Sequence, residues 1–196
     1  MDISYQWGAS RFGLGPLLFL IYINDLESGL LSSLLKFADD IKVFCQVNGE
    51  RDREQLQADS NRLTEWSEKW QMPFNTSMCR VMHLGKANNK FEYTMGNYTL
   101  EVTNEEKDLG VITSNLKPSK QCHQAYAKAS RALGLIYRSI SFKTPSVLLR
   151  LYKSLVRPHL EYCSSAWAPH YVKDRILLER VQHRFTRMVS GMKQLP

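Results

Sequence analysis

Around residue 116 the chain changes its period and its sign together. Before that point short apolar runs alternate with turn residues, and from Ser119 onward apolar residues recur at helical spacing, with Ala125, Ala129, Leu133 and Ile136 on one face. The charge divides at the same place. Residues 1–116 hold 11 Lys/Arg against 16 Asp/Glu, a formal −5, and residues 117–196 hold 15 against 3, a formal +12, which accounts for the net +7 of the chain. The fold class expected is therefore α/β up to about residue 116, followed by an all-helical basic segment. At 196 residues the chain is long enough to bury a core.

The first helix is expected to open at Gly15-Pro16, where proline lacks only an N–H that a helix start leaves unpaired, and to run to about Leu26. Its apolar run Leu17 to Ile23 is too short to span a membrane, so a buried helix is expected. Leu34-Leu35-Lys36-Phe37-Ala38 and Ile41-Lys42-Val43-Phe44 flank Asp39-Asp40, which predicts two strands joined by an acidic tight turn. An amphipathic helix follows from about Asp52 to Gln71, with Leu56, Leu63, Trp66 and Trp70 along one stripe, and Pro73 ends it.

Strands are expected over 80–84, 91–95, 98–102 and 109–113, with a turn at Gly96-Asn97. Beyond Ser119 a second basic-segment helix starts at Thr144-Pro145 and meets Arg157-Pro158, where a kink or break is expected. A third runs from about Lys173 to Ser190 with Leu177, Val181, Phe185 and Met188 inward and Gly191 as its cap.

Nothing in Met1 to Arg11 has the form of a secretory signal, so an intracellular setting, nuclear or cytoplasmic and not secreted, is expected. In that reducing setting Cys45, Cys79, Cys122 and Cys163 should be free thiols. A segment as basic as 117–196 points to a polyphosphate partner, because ordinary solvated faces mix both signs.

Two adjacent carboxylates between apolar strands repel each other, and a divalent cation removes that penalty. Hard oxygen ligands suit Mg²⁺, and a pair of such ions aligns a nucleophile and a leaving group in phosphoryl transfer. Alone, Asp39-Asp40 is weak evidence for a metal site and more readily fits a plain polar turn between strands. His159 and Cys163, with Cys122, His123 and His170 in the same segment, allow a zinc reading, but no tight CxxC or HxxxH pair supports it. Trp66 and Trp70 have the residue type for base stacking, yet their helical spacing beside Leu63 places them in a core.

Several segments taken in order are more specific. Leu14-Gly15-Pro16-Leu17-Leu18-Phe19-Leu20-Ile21-Tyr22-Ile23-Asn24-Asp25-Leu26 is followed by Phe37-Ala38-Asp39-Asp40, then by Trp66 to Met72, Lys107-Asp108-Leu109-Gly110-Val111, and Tyr152 to Tyr162. This succession resembles the reverse transcriptases of non-LTR, jockey-like retrotransposons over about residues 14–192. The resemblance implies a partial polymerase palm over 14–116 (helix, acidic β-hairpin, helix, small antiparallel strands) and a helical thumb over 117–196, with residues 1–13 foreign to the family. It implies Mg²⁺ as cofactor, Asp39 and Asp40 as its catalytic ligands, and Leu109, Gly110 and Val111 as the turn that grips a primer end. Lys120, Lys128, Arg131, Arg138 and Lys143 become expected phosphate contacts. The implied partners are an RNA template and a DNA primer, or their duplex, with no membrane and no small-molecule substrate other than a deoxynucleoside triphosphate.

The chain departs from the family in three places. Ala9-Ser10-Arg11-Phe12 stand where the family has Pro-Gln-Gly-Ser, and Asp2 is the one carboxylate upstream of the first helix, too close to it to serve as the family's further metal-binding aspartate. Met78 follows Asn75-Thr76-Ser77 where a lysine is usual, and nearby Arg80 does not release a proton at neutral pH. The expectation is a reverse transcriptase fragment without polymerase activity of its own, with a non-catalytic nucleic-acid binder as the alternative.

Overall fold

The computed structural model describes residues 14–85, 88–141 and 143–189, and its contacts divide the chain into two units, Met1–Val102 and Thr103–Pro196. Both are mixtures of helices and short antiparallel strands, so the chain is mixed α/β. The expected leader 1–13 and the Gly191 cap lie outside the described residues.

In the first unit, α1 (Leu14–Tyr22) carries Gly15 and Pro16 in its first turn, and a series of turns leads from its end to Gly29. The expectation of a buried helix is overturned. No residue of α1 is buried, and Leu14, Leu17, Leu18, Leu20 and Ile21 are 52–64% exposed. The apolar residues that do go inside, Ile23 and Leu26, lie just past its end. A helix apolar on every side needs cover on every side, and α1 lacks it among the described residues.

Strands β1 (Ser33–Phe37) and β2 (Asp40–Phe44) form an antiparallel hairpin that pairs Phe37 with Asp40, Leu35 with Lys42 and Ser33 with Phe44. Helix α2 (Glu50–Lys69) holds the entrance to that hairpin. Its Asp59, fully buried, accepts the Ser32 amide at 2.7 Å and the Leu31 amide at 3.2 Å, while Arg62 donates to the Gly29 carbonyl at 2.6 Å and to Asp59 at 3.1 Å. Burial would raise the pKa of Asp59, but contacts from Ser32, the Leu31 amide and the Arg62 guanidinium outweigh it and hold the carboxyl below its ordinary range.

The far end of α2 anchors the end of α1. The Tyr22 hydroxyl donates to the Trp70 carbonyl, its ring meets Trp66 and Trp70 edge-on at 6.2 and 5.4 Å, and Trp66 Nε1 donates to Asp25 at 3.0 Å. The expected core stripe is only partly formed: Leu56 and Trp66 are half-buried, Trp70 is 36% exposed, and the buried line of α2 is Asp59, Leu63 and Ser67, because the tryptophans pack on the end of α1 at the edge of the unit.

The remaining strands of this unit are shorter than expected. β3 (Arg80–Met82) pairs with β6 (Glu101–Thr103), where the unit ends, and β4 (Thr94–Met95) pairs with β5 (Tyr98–Thr99) around Gly96-Asn97, with Gly96 at φ 57°. Gln57 of α2 binds both backbone groups of Thr94, at 2.9 and 3.0 Å, which fixes that hairpin on the helix.

The second unit begins with a hairpin of β7 (Glu106–Asp108) and β8 (Val111–Thr113). Periodicity changes at residue 116, but the division of contacts comes earlier, so this hairpin packs with the helices. Helix α3 (Ser119–Ser139) buries Cys122, Ala125, Ala129, Leu133 and Ile136 on the face that its spacing predicted. Gln121 of α3 accepts the Ile112 amide at 2.9 Å, tying β8 to the helix.

Helix α4 (Pro145–Leu151) starts after Thr144, whose side chain makes no capping hydrogen bond to the backbone. It passes through a π-helical stretch, Tyr152–Val156, into α5 (Arg157–Glu161). The expected kink or break at Pro158 is instead a widened turn. The Arg157 amide reaches back five residues to the Tyr152 carbonyl, and a helix path already in that register absorbs the missing proline N–H.

A short α6 (Ser164–Trp167) precedes α7 (Val172–Met188), which sends Asp174, Val181 and Phe185 inward. Leu177 and Met188, expected on that side, are half-buried. Ala129, Leu133, Ile136, Leu148, Val156, Val181, Phe185 and Val189 form one core, with Tyr152 stacked on Phe185 at 4.1 Å. Beside it Cys122, Ala125 and Trp167 make a smaller cluster. No helix among the described residues is long and apolar enough to cross a membrane.

Candidate functional site

Apolar strands with carboxylates between them make a hairpin, but its register differs by one residue from the expected turn. Because Phe37 pairs with Asp40, the two-residue turn is Ala38-Asp39, and Asp40 is the first residue of β2. Ala38 sits at φ 52°, a left-handed conformation that costs a residue with a Cβ about 1–2 kcal/mol. Asp39 and Asp40 are both exposed. Residues opposite one another in an antiparallel pair share a face, so Asp40 lies on the face that carries Leu35, Phe37, Lys42 and Phe44. Leu35, Phe37 and Phe44 are 50–61% exposed, which makes this an open apolar face with one carboxylate at its end.

The opposite face of the hairpin is held to the chain before it. Lys36 donates to the Ile23 and Asn24 carbonyls at 3.3 and 3.4 Å and stands 3.7 Å from Glu27. A cation placed on carbonyls just past the end of α1 complements the negative end of that helix.

Among the described residues no group of three His, Cys, Asp or Glu side chains stands close enough to hold a metal ion. Asp39 and Asp40 alone supply too few donors for the two-ion chemistry that the resemblance implies, so the residues present do not fit a complete Mg²⁺ site. The zinc reading fails by the same observation. Cys122 is packed against Trp167, and its thiol is pushed up to about 11 by burial and by Asp174 nearby.

Leu109, Gly110 and Val111 do not form one strand, as the sequence suggested. Leu109 (φ 44°) and Gly110 (φ 85°) are the two turn residues between β7 and β8, both left-handed, which is the backbone of a tight hairpin turn, and Val111 begins β8. The Tyr162 hydroxyl donates to the Leu109 carbonyl at 2.9 Å, and a Cβ on Gly110 would lie 3.2 Å from the Tyr162 ring. Lys107–Val111 and Tyr152–Tyr162, two separate motifs in the sequence, therefore meet at one turn.

The expected phosphate contacts divide. Lys120, Arg131 and Arg138 stand 11 and 7 residues apart, which at about 100° per residue sets them within about 20° of one line, opposite the buried stripe of α3. Lys120 is engaged with Glu105 and Lys143 lies 3.9 Å over the Tyr137 ring, whereas Arg131 and Arg138 are exposed and make no salt bridge among the described residues. Lys128, half-buried, lies off that line. Sequence reading passed over a second line on α7. Arg180, Arg184 and Arg187, spaced four and three apart, share an exposed face, and that spacing was the signal available.

Compared with protein families, with curated proteins and with solved structures, the chain has no match.

Proposed function

We propose that this chain derives from the reverse transcriptase of a non-LTR, jockey-like retrotransposon, joining part of the palm to a helical thumb, and that it holds nucleic acid without extending a primer by itself. The acidic hairpin carries the reading: an Ala38-Asp39 turn with Asp40 opening β2, apolar strands on both sides, in a chain whose other motifs follow in the family's order. The strained φ of Ala38 supports it, because strained backbone gathers at functional turns.

The absence of a third carboxylate beside Asp39 and Asp40 among the described residues removes the means of holding two Mg²⁺ ions. What remains is the charge. The exposed arginines of α3 lie opposite its buried stripe and those of α7 along the flank of its buried face, an arrangement that suits the backbone of an RNA–DNA duplex and gives affinity that falls with salt.

Two measurements test this reading. On an RNA template with a DNA primer and Mg²⁺, no extension is expected; extension that Asp39→Asn abolishes would show a complete active site. With a fluorescent RNA–DNA duplex, salt-dependent binding is expected that Asp39→Asn and Asp40→Asn leave unchanged and that the Arg180→Glu, Arg184→Glu pair weakens. Absence of binding at low salt refutes the proposal.

A further inference from the structure

Tyr162 follows the last residue of α5 and is 54% exposed. Burial therefore does not explain where the ring sits; two hydrogen bonds do. The hydroxyl donates to the Leu109 carbonyl at 2.9 Å, 53 positions away in sequence, and the Tyr162 carbonyl accepts Trp167 Nε1 at 2.7 Å. Trp167 is buried against Cys122 and Ala125, so one end of the tyrosine is fixed to the helical core and the other to the turn.

The turn receiving that contact is strained. Leu109 has a Cβ and a left-handed φ of 44°, a cost of about 1–2 kcal/mol that its own side chain, 45% exposed, does little to offset. Gly110 beside it leaves the space that the Tyr162 ring occupies. Cys163, which follows Tyr162, is left-handed at φ 50°.

We propose that Tyr162 is the positioning residue of the Leu109-Gly110 turn, clamping its main chain in the shape that receives the end of a nucleic-acid strand. The clamp stands on the geometry alone; the ligand rests on the polymerase reading above.

The full chain is tested as wild type, as Tyr162→Phe, which keeps the ring and removes the donor, and as Gly110→Ala, which wedges the same contact from the other side. Three readouts are taken: amide exchange at Val111, binding of a fluorescein-labelled RNA–DNA hybrid, and crosslinking to residues 109–111 from a photoreactive thymidine at the 3′ end of the DNA strand. Both variants are expected to exchange Val111 several-fold faster and to bind the hybrid about 3–10-fold more weakly, the equivalent of one hydrogen bond. The salt slope should stay unchanged, since no cation is removed, and the crosslink should be lost.

Unchanged exchange in both variants overturns the clamp. Faster exchange with unaltered affinity and crosslink overturns the positioning role. Failure of the wild type to bind the hybrid overturns the nucleic-acid reading and this role with it, while exchange still reports whether the clamp exists.

Discussion

In the second unit α3, α4, the π-helical stretch and α7 close around a single cluster from Ala129 to Val189, whereas in the first unit α1 and one face of the β1–β2 hairpin leave Leu17, Leu20, Ile21, Leu35, Phe37 and Phe44 at least half exposed. The difference lies in how apolar residues are distributed. Helix α3 is apolar on one stripe, so packing on that side satisfies it; α1 is apolar all round and the described part of its unit buries none of its residues. Hydrophobicity told where apolar surface was, and only periodicity told which of it the chain itself would bury.

The largest expected effect tests that contrast. Leu133→Ala, in the closed core, should cost about 3–4 kcal/mol, from lost transfer energy and the cavity left behind. Leu20→Ala, on α1, should stay within about 0.5 kcal/mol. Urea unfolding followed through ¹⁹F-labelled tryptophans reads the units separately, with Trp66 and Trp70 in the first and Trp167 in the second. Equal costs for the two substitutions would break the comparison.

The first unit does hold one well-organised element, the Asp59 knot, and the next effect in size belongs to it. Asp59→Asn should destabilise the first unit by about 2 kcal/mol, because a buried acceptor of two backbone amides and a guanidinium loses charge and one acceptor. The direction with pH follows from the lowered pKa. Folded Asp59 releases its proton more readily than the unfolded carboxyl, so its stabilisation is present above the ordinary carboxylate range near pH 4 and disappears as pH falls through the folded value. The Asn variant should lack that acid limb in the signals of Trp66 and Trp70; an identical acid profile would show that the knot does not hold the first unit.

These examples show what the sequence made legible. The line Ala125, Ala129, Leu133, Ile136 and the inward Val181 and Phe185 were readable because each lies on one helix at one period. The hairpin around the two aspartates was readable as an element but not in register, since a shift of one residue moves Asp40 from turn to strand without altering the apolar pattern. Asp59 looked like any surface acid on a charged helix, because its partners are main-chain amides at Leu31 and Ser32 that carry no sequence signal. Tyr162 on Leu109 was beyond reach for a related reason: a hydroxyl-to-carbonyl contact across 53 positions has no period to betray it.

Cys122 supplies the smallest effect and places it at the opposite end of the pH scale from Asp59. Its thiol lies within the closed unit, where burial and then Asp174 push it up to about 11. The unfolded thiol ionises at lower pH than the folded one, so the folded state is favoured fully below the unfolded value and loses that advantage as pH rises towards the folded value. Between about pH 9 and 11 the second unit should lose about 1–2 kcal/mol that a Cys122→Ala variant does not lose. Other groups titrating in that window cancel in the difference. If the two proteins decline in parallel in the Trp167 signal, Cys122 has access to solvent in the folded state, and the second unit is less closed than its core implies. If only the wild type declines, the units fail at opposite extremes, the first in acid at Asp59 and the second in alkali at Cys122, each at a fully buried titratable group.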